Sequence, residues 1–545
     1  MRTRLQVKLA MLLLLLTALP CVADERNTEI DRLFKAVDRN NGPGCAVSVY
    51  RAGKKLYEQG YGIANLEYGI PIRPSSAFQI GSATKQFTAM AVLLLAKDGK
   101  LAPLDDIHKY IPELPQYEAP VTIQEMLWHT SGLRDIYDLI DLRDRDDDSP
   151  LTQGRFLKII ARQRSLNFNP GTGFLYSNSN YLLLAILVER TSGKQLNRFM
   201  EERIFGPLEM SHTILLDKKQ WLVPNRAYSY SKDESGRYQN RFPVDEIVGS
   251  TGIFTTIEDI AKWNEELIGG AILGKEIVRQ LEQTGTIAGG RLLEYGDGVV
   301  IARDRGLRTI GHGGADIGYL AVLFVYPDYD FQGAILCNTA ELEPWNIART
   351  IAGIYLREHM TEEAFSKVSS TKLEKYAGTY YSPVQGSTSR FVLESDQLLA
   401  GGNPRFALRQ LGASKFQLAD IPVYFEFYDH NGTIGLTRSM FGASPDVMLK
   451  MTPVEPPTSL SQYVGTYRAP ELQQTFTISI ASGTLVMSNL SGTKGKLIPT
   501  MKDGFSWDAT GLFLRFQRAN GLITGLTATT DSLRTWNLPF ERLPN

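Results

Sequence analysis

The sequence is short of the residues from which metal and redox centres are built. Its 545 positions hold 3 cysteines and 6 histidines. No His/Cys group has metal-ligand spacing and there is no His-Glu-x-x-His, so no metal and no cofactor are expected. An excess of charge of one sign is also missing. Lys and Arg number 58 against 59 Asp and Glu, a net charge of −1. A nucleic-acid binder would show a basic surplus, and none is present. After the first two dozen residues no apolar run is long enough to cross a bilayer. The Gly-x-Ser-x-Gly elbow of the α/β-hydrolases is absent as well.

What is present is ordinary globular composition, 43% hydrophobic and 21% charged, on a chain long enough for two to four domains. The N-terminus reads as a secretory signal. Arg2, Arg4 and Lys8 form a positive region, Leu9 to Leu19 an apolar one, and Cys21-Val22-Ala23 a small-residue site before Asp24. A membrane anchor is the alternative, but the run is short for a span. A lipoprotein signal at Cys21 is another, disfavoured by Pro20. Residues 1–23 are therefore expected to be removed, leaving a periplasmic or secreted protein with no stable membrane anchor. Cys45 and Cys337 then remain. An oxidising compartment permits a disulfide without requiring one, and both are read as buried free thiols.

Between residues 28 and 360, helix-like and strand-like stretches alternate. Cys45 to Tyr50 and Lys55 to Ile63 read as two strands joined at Ala52-Gly53. Gln86 to Ala96 is apolar nearly all round, as a buried helix is. Leu182 to Val188 begins a second helix that Ser192-Gly193 ends. Thr309 to Gly314, Tyr319 to Tyr326 and Phe331 to Asn338 read as three more strands. Strands at both ends with helices between suggest one mixed sheet closed by the two ends of this region.

From about residue 371 the texture turns all-β and repeats. Tyr376-Ala377-Gly378-Thr379-Tyr380 recurs as Tyr463-Val464-Gly465-Thr466-Tyr467, an offset of 463 − 376 = 87. Asn431-Gly432 recurs as Asn520-Gly521, an offset of 520 − 431 = 89. Two small barrels are expected, at 371–453 and 459–543, with the proline-rich stretch from Pro453 to Ser459 as linker. The repeated Tyr and Gly residues read as core and turn positions.

The chemistry-bearing pattern is Gly81-Ser82-Ala83-Thr84-Lys85, directly before the apolar helix. Ser-x-x-Lys on a helix places both side chains on one face, one turn apart. A serine hydroxyl needs a base, and a desolvated lysine can be one. The same spacing occurs at Ser229/Lys232, Ser369/Lys372 and Ser491/Lys494, in polar or Gly-rich surroundings without an apolar helix behind. Tyr176-Ser177-Asn178 precedes the second helix. A tyrosine beside a lysine can hold phenolate character and shuttle protons, and the asparagine can hold a substrate carbonyl and the lysine. A similar Tyr238-Gln239-Asn240 lies in a polar stretch. Gly311-His312-Gly313-Gly314-Ala315 ends a strand. There His312 would orient a substrate carboxylate or assist proton transfer, and the glycines would let a substrate backbone approach. The Ala315 N–H would join that of Ser82 in an oxyanion hole. His129 and Thr130, beside the turn at Ser131-Gly132, read as scaffold behind the site.

Ser82-x-x-Lys85, Tyr176-x-Asn178 and His312-x-Gly314 stand in the order and context of the penicillin-recognising serine hydrolases, which the chain resembles over roughly residues 30–358. Leu127 to Leu133 and Gly252 to Trp263 are similar to that family too. The resemblance implies an α+β catalytic domain at 24–360, with an antiparallel sheet flanked by helices and a helical subdomain. It implies an acyl-enzyme on Ser82, with Lys85 and Tyr176 sharing base and acid duties, and Asn178, His312, Gly313, Gly314 and Ala315 binding substrate. β-Lactamases of this type usually carry Lys-Thr-Gly where this chain has His312-Gly313-Gly314, which turns the expectation toward a peptidase, amidase or esterase. In layout the chain resembles D-aminopeptidases, with two lipocalin-like barrels after the catalytic domain, and Ser131-Gly132-Leu133-Arg134-Asp135 is similar to them. In that relative a loop of the last barrel limits substrate size. The implied substrate is a small molecule or peptide containing a D-amino acid, for which exported peptidoglycan fragments are the obvious pool. The competing expectations are an esterase of relaxed specificity and a binding protein that has lost turnover.

Overall fold

The computed structural model describes residues 25–143, 150–242, 245–361, 370–401, 406–418, 422–451, 457, 459–489, 492–530, 532 and 534–544. The expected signal, the Ser369 and Ser491 of two Ser-x-x-Lys copies, and most of the expected linker lie outside them.

The catalytic domain is organised by six strands: β1 (Cys45–Arg51), β2 (Lys54–Tyr61), β3 (Val300–Asp304), β4 (Leu307–Asp316), β5 (Tyr319–Tyr326) and β6 (Phe331–Cys337). They form one sheet in the order β3-β4-β5-β6-β1-β2. All five pairings are antiparallel, so the sheet is not mixed. Hairpin-length connections between consecutive strands require this direction. The β1–β2 turn uses Ala52 (φ 48°) and Gly53 (φ 70°), a left-handed pair whose twist suits a two-residue hairpin.

The alternation of side chains gives the sheet two dry faces. On one, Ala46, Leu323 and Leu336 join α1 (Lys85–Lys97) and α3 (Ile257–Gly269) in the main core; α2 (Asn178–Ser192) packs on α1 from within the helical part. On the other, Val47, Val322 and Ile335 pack against Ile347 and Ile351 of α4 (Pro344–Leu356) and against Ile30 and Phe34 of a helix at residues 25–34. Gly193 ends α2 with φ 70°, the left-handed cap that its sequence suggested.

The register sets one correction. Cys45 lies directly opposite Cys337 across β1 and β6, with Cα atoms 4.0 Å apart, and the two form a disulfide rather than free thiols. Their separation of 292 residues hides this pairing from any local pattern.

Two closed eight-stranded antiparallel barrels follow, from Gly378–Ser382 to Asp446–Lys450 and from Gly465–Ala469 to Leu538–Arg542. The repeat is structural. The Tyr380 hydroxyl donates to the Tyr376 carbonyl at 3.0 Å, and the Tyr467 hydroxyl donates to the Tyr463 carbonyl at 2.8 Å. All four rings are buried.

Both barrels dock on the catalytic domain. Phe441 of the first packs on Phe174 and Tyr295, at 5.0 and 5.7 Å between ring centroids. The second is held through a buried ion pair between Arg134 and Glu471. Gln163 accepts from Arg134 at 3.1 Å and donates to the Glu471 carbonyl at 3.2 Å.

Candidate active site

Ser82 lies in a single 3-10 turn, Gly81–Thr84, that runs straight into α1, whose first residue is Lys85. Gly81 has φ 49°, a conformation that favours glycine, and a Cβ there would lie 2.8 Å from the Ala315 nitrogen. Gly314 is tighter still. A Cβ on it would fall 1.8 Å from the Ile80 carbonyl oxygen and 3.0 Å from the Ser82 nitrogen. A Cβ on Gly313 would come within 2.6 Å of Trp345 Nε1. The glycines of β4 therefore serve the seam between strand and nucleophile turn and the packing on α4. That differs from the expected role of admitting a substrate backbone. The amides of Ser82 and Ala315 both sit at this seam.

Lys85 is fully buried. Its Nζ reaches Ser82 Oγ at 3.1 Å, Asn178 Oδ1 at 2.9 Å and the Ser250 carbonyl at 3.0 Å. Burial pushes its pKa well below the usual lysine value; Asp135 opposes this and Arg534 adds to it. Asn178 opens α2, and Asp135 orients it. Asp135 Oδ2 accepts from the Asn178 backbone N–H at 2.6 Å and from its Nδ2 at 2.8 Å. With its amide hydrogens so engaged, Asn178 turns Oδ1 toward the lysine.

Tyr176 is placed by His129 from both sides. The N–H of Leu175 donates to the His129 carbonyl at 2.9 Å, and that of Ser177 donates to His129 Nδ1 at 3.1 Å. The two rings lie 4.3 Å apart, and Lys85 Nζ sits 4.9 Å from the Tyr176 ring centre. Burial raises the Tyr176 pKa, against lowering by the Ser82 hydroxyl and Arg534. The buried hydroxyl faces Ser82 without a hydrogen bond of good geometry. Burial outweighs the lowering influences, so the resting side chain is a phenol, not the phenolate that the motif suggested.

His312 lines the cleft above Ser82. Its Nε2 is 3.0 Å from the Tyr295 hydroxyl and its Nδ1 2.5 Å from the Gly313 carbonyl. Burial lowers its pKa to about 3. The neutral ring carries its proton on Nδ1, toward Gly313, and accepts from Tyr295 at Nε2. An uncharged imidazole with both nitrogens engaged offers a carboxylate neither charge nor a spare donor, which removes the first of the two roles expected for it and does not bear on the second, proton transfer.

Sequence reasoning missed Asp135 as the group that orients Asn178, the Ser250 carbonyl, Tyr295 and Arg534. Asp135 had a signal, since it ends the noted stretch from Ser131. Arg534 had none. The competing patterns fall away from the site: Ser229 and Lys232 lie on a short strand paired with the one that carries Tyr238 and Asn240. Ser82, Tyr176, Asn178 and the run Gly311 to Asp316 line one cleft of about 2570 Å³, which extends over both barrels to Ser532 and Arg534.

The sequence profile described as Beta-lactamase matches residues 30–354. The chain belongs to the beta-lactamase family. It is a serine hydrolase of that family, followed by two barrels. It is 24% identical over 428 residues to "Penicillin-binding protein 4*" of Bacillus subtilis (strain 168), covering 74% of this chain and 94% of that one. It is 24% identical over 461 residues to the D-aminopeptidase of Gluconobacter oxydans (strain 621H), covering 83% and 85%. The octameric penicillin-binding protein homologue from Pyrococcus abyssi shares the fold, with a TM-score of 0.54, 23% identity, and coverage of 79% of this chain and 99% of that one.

Proposed function

We propose that this family member is an exported hydrolase of peptides or amides containing a D-amino acid, working through an acyl-enzyme on Ser82. One observation carries the mechanism: a wholly buried Lys85 Nζ lies 3.1 Å from Ser82 Oγ. Desolvation biases it to the neutral amine, which is the form able to accept a proton.

In this reading Lys85 takes the Ser82 proton as Oγ attacks the scissile carbonyl. The oxyanion is met by the Ser82 and Ala315 amides. Tyr176, a phenol at rest, gives its proton to the leaving nitrogen and is refilled from the Lys85 ammonium. Water then reverses the sequence on the acyl-enzyme. Asn178, its amide hydrogens held by Asp135, keeps Lys85 in place by accepting from its Nζ at Oδ1.

The substrate class rests on the D-aminopeptidase relatives, and on a cleft far larger than a single amino acid amide needs. Export is supported by the signal-like N-terminus and by the Cys45–Cys337 disulfide, a bond that persists in oxidising compartments. Peptidoglycan-derived peptides are the substrates such a location offers.

Hydrolysis of D- and L-alanine p-nitroanilides by the mature protein, beside Ser82→Ala, tests this. Cleavage of the D-form that vanishes in Ser82→Ala supports it. Cleavage of p-nitrophenyl esters alone, still dependent on Ser82, replaces it with an esterase.

A further inference from the structure

The family's usual lysine is replaced in β4 by a neutral His312, so that strand presents no positive charge to the cleft. A cation is present nevertheless, supplied by the second barrel. Arg534 lies in the loop before the last barrel strand, and its guanidinium sits 5.3 Å from the centre of the Tyr176 ring. It lines the same cleft as Ser82.

The backbone around it is clamped. The Arg534 carbonyl accepts from the Asp135 N–H at 3.3 Å and from Asn167 Nδ2 at 3.0 Å. Ser532 donates to Asp138 at 2.6 Å, and the Trp536 N–H donates to Asn167 Oδ1 at 2.8 Å. The Trp536 ring packs 5.6 Å from that of Phe168.

The head group, by contrast, has charge contacts, with the Tyr176 ring and Asp135, but donates no hydrogen bond to a described residue. Its nearest acid is Asp135, with Nη1 to Oδ2 at 4.0 Å, too far for a hydrogen bond. Asp135 Oδ2 already accepts two N–H groups from Asn178, and its Oδ1 accepts the Tyr137 N–H at 2.9 Å. The guanidinium makes no hydrogen bond to any described residue, although the side chain is only 39% exposed. A planar fork of five donors, half-withdrawn from solvent and held over a catalytic ring, matches a carboxylate.

We propose that Arg534 is the specificity determinant of the site and that the substrate carries a carboxylate beside the scissile bond. This rests on the reading of Ser82 as nucleophile and adds to it the charge of the substrate. The second barrel thus completes the recognition surface of the first domain. The preference also runs against a free ammonium group at that place.

Two probe pairs differ only in that charge. N-succinyl- and N-acetyl-D-alanine p-nitroanilide place it on the acyl side; N-acetyl-D-alanyl-D-alanine and its C-terminal amide place it on the leaving side. The expected result is a kcat/KM roughly ten- to a hundred-fold higher for the anionic member of one pair. That ratio collapses in Arg534→Gln and is partly restored in Arg534→Lys, which a purely structural role of the side chain would not produce. Calorimetric titration of the same pairs into Ser82→Ala repeats the comparison without turnover. It separates the two proposals: no Ser82-dependent cleavage, with anion binding that needs Arg534, sinks the hydrolase reading and keeps Arg534 as the residue that selects a carboxylate ligand. Equal affinity and turnover within both pairs, or a preference that survives in Arg534→Gln, overturns it. So does better cleavage of unblocked D-alanine p-nitroanilide, with its ammonium, than of the succinylated form.

Discussion

Gly314→Ala isolates the seam on which the site depends. The added Cβ falls 1.8 Å from the Ile80 carbonyl oxygen, and that atom is backbone, so no side chain can swing away. Opening the contact to an ordinary C···O distance of about 3.3 Å needs about 1.5 Å of movement between β4 and the turn carrying Ser82. A misplacement of about 1 Å costs on the order of a hundredfold in rate. Overpacking of this kind costs about 1–3 kcal/mol of stability. Activity should therefore fall by about a hundredfold or more, with kcat carrying most of the loss, while the protein still folds. The assay pairs kcat/KM on a Ser82-dependent p-nitrophenyl ester with a thermal melt. Gly154→Ala serves as control, because a Cβ there meets nothing within 4 Å. Activity of Gly314→Ala within about threefold of the parent would refute the view that this close approach places the nucleophile.

Other perturbations test different links. Cys45→Ser with Cys337→Ser removes a cross-link spanning 292 residues and should cost about 2–5 kcal/mol, read as a lower Tm than that of the oxidised parent; an unchanged Tm would mean the bond adds nothing. Glu471→Ala strands the buried Arg134 guanidinium and should weaken docking of the second barrel by about 3–5 kcal/mol. Faster hydrogen exchange at both 131–135 and 530–537 checks it, and protection equal to the parent's contradicts it. Asp135→Asn removes a negative charge that raises the Lys85 pKa. The ammonium is then less favoured, the Lys85 pKa falls further, and the acidic limb of kcat/KM moves to lower pH whatever happens to its height. A limb that stays put or moves up would show that Lys85 is not the titrating base.

Five of the six sheet strands were legible because their apolar runs are bounded by turn residues, as at Ala52-Gly53; β3 (Val300–Asp304), short and ending in Arg303-Asp304, was not read. The pairing of β1 with β6 was not legible from local pattern, since these two strands come from opposite ends of the domain. Ser82, Lys85, Tyr176 and Asn178 were legible as candidates because each pair is close in sequence and stands before an apolar helix. The structure brings them together through Lys85, which touches Ser82 and Asn178 at once. His312 was visible as a residue but not as a neutral one, because its state follows from burial and from Tyr295.

Local elements could be read along the chain: an apolar helix behind a serine and a lysine one turn apart, a helix ended by Gly193, and a barrel pattern that occurs twice. Periodicity and turn chemistry act over a few residues, so they can be read along the chain. Tertiary structure alone decided the protonation bias of Lys85, the pairing of Cys45 with Cys337, the packing role of Gly314 and the arrival of Arg534 beside Tyr176. Those properties arise from desolvation and from contacts between segments hundreds of residues apart, which exist only once the domains have packed.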